Sequence, residues 1–123
     1  MKKLLLVGML GLSFDILATE TVGSFSDGND MNQWIKASKR IDQGIESRSD
    51  YLDYSRLVGY TTAIFDVGSN ANLVCAHIPN GIVVEQIVDV VGNYVEKHPE
   101  ERSKSASRIA MDALMQAFPC KKK

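Results

Sequence analysis

The residues able to do chemistry in this 123-residue chain are few: two cysteines, two histidines and some neighbouring carboxylates. Cys75 and His77 stand two positions apart in "LVCAHIPNG", which in principle offers a thiolate and its base. At that spacing in a loop the two side chains diverge, so the pair is weak as nucleophilic machinery. His98 precedes Pro99 at a helix junction, where an imidazole serves as a local hydrogen-bonding or capping group. Asp50 and Asp53, or Glu100 and Glu101, could pass for paired carboxylates, yet acidic residues gather at helix starts for electrostatic reasons alone. The cysteines, with His77 and His98 scattered around them, lack the close paired spacing of a zinc site. There is no glycine-rich phosphate loop, calcium loop or metal-ligand repeat. These residue types therefore point to no cofactor and to a protein that is not an enzyme.

The compartment decides how the cysteines are read. Lys2 and Lys3 precede an apolar run from Leu4 to Phe14, and Ala18 is the small residue expected before a cleavage point, with Ile16 two positions earlier. That is the pattern of a secretory signal peptide over residues 1–18, leaving a single domain over 19–123. The apolar run is shorter than the ~20 residues a membrane span needs, so no membrane association is expected after cleavage. In an oxidising compartment an even cysteine count implies a bridge, here Cys75 to Cys120. Closing that loop would restrict the unfolded chain by about 4 kcal/mol. The formal net charge is -1, which argues against nucleic acid as a partner, since that needs a strongly basic face. The local basic spots, Lys36/Lys39/Arg40 and Lys121 to Lys123, read as solvated positions on helix faces and ends.

Four helices must hold these residues. Asn29 or Asp30 can cap the first, with Met31, Trp34, Ile35, Ile41 and Ile45 as its apolar stripe. The second should begin near Ser49 or Asp50 and end at Gly68, its apolar face running through Leu52, Tyr54, Leu57, Val58, Thr61, Ile64 and Phe65. Gly59 inside it costs about 1 kcal/mol against alanine, for which close approach of another helix is the expected reason. The stretch from Gly68 to Asn80 reads as a long irregular connection, with a turn at Pro79 and Asn80-Gly81. The third helix covers about Ile82 to Lys97, with Val84, Ile87, Val88, Val91, Tyr94 and Val95 recurring at helical spacing. Pro99 suits the first position of a final helix that carries Ala106, Ile109, Ala110, Ala113, Leu114 and Ala117 on one face. Pro119 stops it, and Cys120 sits at its foot. No strand pair or repeat appears, so the expected fold is all-α: a compact bundle of about four helices with one disulfide.

From Tyr54 to Cys120 the sequence resembles the Rap/Tai family of type VI secretion immunity proteins. The resemblance is carried by "GYTTAIFDV" (59–67), Cys75, "IPNGI" (78–82), Gln86, "VVGNYVEKHPE" (90–100), Ala106 and "ALMQAFPC" (113–120). The chain departs from the pattern in lacking a cysteine just before its Gly-Tyr pair, in carrying Val83 where a threonine usually caps helix 3, and in Ser103 for a common histidine. The resemblance implies a periplasmic protein, often a homodimer, that binds and blocks a cognate peptidoglycan amidase effector by occluding its catalytic cleft. The loop from Gly68 to Asn80, with Ser69, Asn70, Asn72 and His77 as polar contacts, is the expected partner-binding element. The competing reading is a small periplasmic helical stress chaperone, or another binding module without a toxin partner. Acid-triggered dissociation and holding of client proteins would distinguish it.

Overall fold

The computed structural model describes residues 25–76 and 81–122, so the expected leader over 1–18 and His77 lie outside what it describes. Four α-helices follow one another: α1 Gly28–Asp42, α2 Arg48–Asn70, α3 Val84–Lys97 and α4 Ala106–Ala117, with a 3-10 turn at Pro99–Glu101 before the last. Among the described residues the β pairing is a single antiparallel bridge, Asp27 to Ser105. The expected all-α bundle is what forms.

The cap of α1 is Asp27, two or three residues before the expected Asn29 or Asp30. Asp27 has the extended backbone a cap requires, and its carboxylate accepts from Asn29 N at 2.8 Å and Asp30 N at 3.0 Å. Asp30 returns the favour by accepting from Asp27 N at 3.0 Å, which makes a reciprocal capping box. Met31, Trp34 and Ile35 are buried as the stripe requires, but Ile45 is 65% exposed. The helix stops at Asp42 because Gly44 adopts the left-handed conformation. Gly44 N then donates to the Ile41 carbonyl and Ile45 N to the Arg40 carbonyl. This Schellman closure turns the chain before Ile45 can reach the core.

Helix α2 starts where the Asp50 carboxylate accepts from Ser47 N at 2.8 Å. Leu57 and Thr61 are fully buried, and the Thr61 hydroxyl donates to the Leu57 carbonyl at 2.8 Å. Leu52, expected on the buried face, is 59% exposed. The expected end at Gly68 is also wrong: the helix continues through it to Asn70. Gly68 is buried, and a Cβ there would lie 2.7 Å from a Val74 methyl and 3.0 Å from the Met111 sulfur. The close approach expected at Gly59 therefore occurs nine residues later. At Gly59 none of the described residues lies within 4 Å of where a Cβ would be.

Helices α3 and α4 complete the core. Ile87, Val88, Val91 and Val95 of α3 meet Ala106, Ile109, Ala110, Ala113 and Leu114 of α4 around Leu57 and Trp34. The alanines let α4 sit close, as helix packing with small side chains requires. Val83 has no acceptor to cap α3, but Gln86 still accepts from Val83 N at 3.1 Å. Pro99 does not open the final helix as expected. It opens the separate 3-10 turn, and Ser105 caps α4 by accepting from Arg108 N at 3.3 Å. The intervening strand-like residues are held by Gly28 N to Lys104 O and Ala106 N to Ser26 O, which join the starts of α1 and α4.

Candidate partner-binding site

The chain leaving α2 is fastened to the end of α4. Cys75 and Cys120 form the disulfide, with Cα atoms 4.8 Å apart and 45 positions between them in sequence. Beside it, Cys75 N donates to the Phe118 carbonyl at 2.8 Å. Phe118 in turn packs edge-on against Phe65 of α2, ring centres 6.1 Å apart. Val74 is buried under these contacts. A covalent bond, a backbone hydrogen bond and an aromatic pair thus hold one short segment.

That clamp fixes the tip of α2. Asn72 lies in the left-handed region at φ 56°, with Asn72 N donating to the Ser69 carbonyl and Leu73 N to the Gly68 carbonyl. This is a second Schellman closure, with asparagine in the place glycine usually takes. Ser69 and Asn70, expected in a loop, form the last turn of the helix, and both are exposed. The structure therefore brings Ser69, Asn70 and Asn72 together on one rigid end of the molecule, and leaves His77 outside the described residues. Sequence reasoning missed two neighbours: Val67 is 59% and Leu73 43% exposed at the same tip. Leu73 was findable as a lone large apolar residue in "GSNANL" (68–73), whereas Val67 reads as an ordinary helix position.

The remaining candidates for chemistry are committed elsewhere. Asp50 accepts from Arg40 at both oxygens, with Nη2 to Oδ1 at 2.6 Å. The Arg40 guanidinium, aided by Ser47 N, holds the Asp50 carboxyl well below the usual carboxylate range. Asp53 is paired with Arg56 at 2.7 Å and accepts from the Gln33 amide at 3.4 Å. Glu101 takes Lys104 at 3.1 Å and the Tyr94 hydroxyl at 3.1 Å, and Lys104 lowers its pKa. Burial, reinforced by Glu101, raises that of Tyr94. His98 stacks on Tyr94 with ring centres 4.0 Å apart and its Nδ1 lies 2.8 Å from the Tyr94 carbonyl, the local bonding role expected for it. The Cys75 sulfur is bonded and offers no nucleophile. Among the described residues no group of His, Cys, Asp and Glu is placed to hold a metal ion, and no helix is long and apolar enough to cross a membrane.

A family model described as Rap1a immunity proteins matches residues 27–120. The chain belongs to the Rap1a immunity protein family. No curated protein and no solved structure matches it. The span matched by the Rap1a model begins at Asp27, the cap of α1, and closes at Cys120, the second half of the disulfide. It thus takes in all four helices and the clamped tip.

Proposed function

We propose that this Rap1a-family chain is an exported immunity protein that binds a type VI-delivered peptidoglycan amidase in the periplasm and occludes its catalytic cleft. The observation that carries this reading is the tip of α2. Ser69, Asn70 and Asn72 stand there beside exposed Val67 and Leu73, on a helix end closed by its own backbone and fastened through Cys75 and Cys120. Rigid elements with a mixed apolar and polar surface bind without a large ordering cost, because little freedom is lost on contact. An inhibitor of this kind needs complementarity and no reactive group of its own. Membership of the Rap1a family supports the immunity role, and the amidase target follows from the resemblance of "VVGNYVEKHPE" and "ALMQAFPC" to that family's pattern. The homodimer that the resemblance implies belongs to the same reading.

The deciding experiment is inhibition of a purified cysteine-histidine peptidoglycan amidase, encoded beside this chain, by the exported, oxidised protein. Stoichiometric inhibition is expected. Changing Ser69 and Asn70 together to alanine should weaken it by at least tenfold with the melting temperature unchanged. Full inhibition by that double variant would remove the tip from the interface, and no inhibition by the parent chain would remove the amidase reading.

A further inference from the structure

None of the described residues gives Gly59 a reason. It lies at the middle of α2, is exposed, and among the described residues would meet nothing within 4 Å if it carried a Cβ. Inside a helix, glycine is destabilising relative to alanine, so a position with this much room would be better filled. What glycine does allow is backbone approach by an element from outside. Beside it a groove of about 530 Å³ opens between α1 and α2, lined by Phe25, Trp34, Tyr60 and Arg56 among others. Phe25 there is fully exposed.

The surface around Gly59 has a pattern. At helical spacing on one row stand Leu52, Ser55, Gly59 and Ala63, all exposed, with exposed Val67 at the row's edge. Arg48 lies on the same row towards the start of the helix and Asp66 towards its end, and neither forms an ion pair among the described residues. Arg56, whose side chain is 62% exposed, is already paired with Asp53 and adds no net charge to the first half. The carboxylates of that half, Asp50 and Asp53, are buried against Arg40 and Arg56. Among the described residues the exposed face therefore carries one unpaired positive charge in its first half, Arg48, and one unpaired negative charge in its second, Asp66, and is narrowest between.

We propose that this face of α2 is where two copies of the chain meet, with the two α2 helices crossing antiparallel at Gly59. The inference rests on the homodimer in the reading above and names its surface. A two-fold axis through Gly59 sets Ser55 of one copy against Ala63 of the other and brings Leu52 towards the other's Val67. It also places the second copy's Asp66 about one turn from Arg48, the cation of this face without an ion pair among the described residues. A parallel pairing would instead set Arg48 against Arg48 and Asp66 against Asp66, which is repulsive. An isologous contact of this kind closes on itself, as a dimer requires. Asn72 and Leu73, beyond Asn70, stay free in each copy, while Val67 lies where this face meets the tip.

The test is the solution mass of the exported, oxidised chain over a concentration series, with no effector present. The parent chain should have the mass of two copies, and Gly59→Arg should halve it while helicity and melting temperature are kept. Asp66→Arg should halve it too. On the two-fold axis, Gly59→Cys should crosslink to its own copy, giving a covalent dimer on a denaturing gel, whereas Ile45→Cys, off this face, should not. A dimer whose mass survives Gly59→Arg would overturn the assignment and leave the homodimer itself standing. A parent chain that is monomeric throughout would overturn both. If Gly59→Arg kept the mass but abolished amidase inhibition, the face would belong to the effector and not to a second copy. Inhibition by the parent chain, read beside its mass, separates failure of this face from failure of the amidase reading.

Discussion

Arg40, in the last turn of α1, grips the carboxylate of Asp50 in the first turn of α2 through three contacts, the shortest 2.6 Å. The same carboxylate accepts from Ser47 N, so one acidic residue both caps its own helix and ties it to the previous one. Because only the ionised form can accept all of these bonds, the folded state holds Asp50 ionised to lower pH than the unfolded chain does. Its contribution is fully present above the unfolded pKa of about 3.9 and is lost as pH falls further.

The first prediction follows from that sign. Asp27, Glu46 and Glu101 are lowered too, by Asp30 N, by the Tyr51 hydroxyl and by Lys104 respectively. The melting temperature should therefore hold level through the neutral range and drop below pH about 4. Tyr51 and Tyr94 are raised, by Glu46 and by burial respectively, so their contribution is lost as pH rises past about 10. Asp50→Asn should lower the plateau and flatten the acid limb, measured by calorimetry across pH. A parent chain that loosens already at pH 6 would favour an acid-triggered chaperone.

The second concerns the disulfide. Reduction, or Cys75→Ser with Cys120→Ser, should cost roughly 2–5 kcal/mol in urea unfolding, since the crosslink spans 45 residues. Thiol titration of the exported protein should find no free SH group. A reduced chain of unchanged stability would show that the Cys75 amide and Phe118 hold the segment without the sulfur bond.

A third prediction sets two glycines of one helix against each other. At concentrations too low for two copies to meet, Gly59→Ala should raise stability by about 0.5–1 kcal/mol, because among the described residues the added methyl meets nothing and the helix gains. Gly68→Ala should lower it by about 1–3 kcal/mol, because the methyl would press on Val74 at 2.7 Å and that branched side chain cannot swing away. Denaturant midpoints of the two variants decide it, and equal shifts of the same sign would contradict the packing described.

The fourth separates the two duties of Asn72. Asn72→Gly keeps the left-handed turn and should leave stability within a few tenths of a kcal/mol. Asn72→Ala forces a methyl into that conformation and should cost about 1 kcal/mol. Loss of amidase inhibition in the glycine variant would assign the amide itself to the interface, since the turn is intact there.

Much of the fold could be read from local pattern. The stripes through Met31, Trp34 and Ile35, through Ile87, Val88, Val91 and Val95, and through Ile109, Ala113 and Leu114 recur at helical spacing, and all are buried. Where reading failed, the missing information was an element's neighbour. Ile45 and Leu52 continue their stripes on paper but are exposed, because a Schellman turn at Gly44 and the placement of α1 carry them off the core. In the stretch expected to bind a partner, Ser69 and Asn70 are helical where a loop was expected, and exposed Val67 and Leu73 beside them could not be read from sequence, since exposure is a property of the assembled bundle.

From its amino acids alone this chain determines four amphipathic segments and where they break, and a cysteine pair suited to bridging. Those features depend on periodicity, turn chemistry and residue type, which act within a few positions of each other. Tertiary structure decided which glycine is crowded and which is bare, which carboxylates are neutralised by Arg40 and Arg56, and which end of α2 stands rigid and exposed. Each of those depends on atoms far apart in sequence meeting at a few ångströms, and only the packing of one helix against another sets that distance.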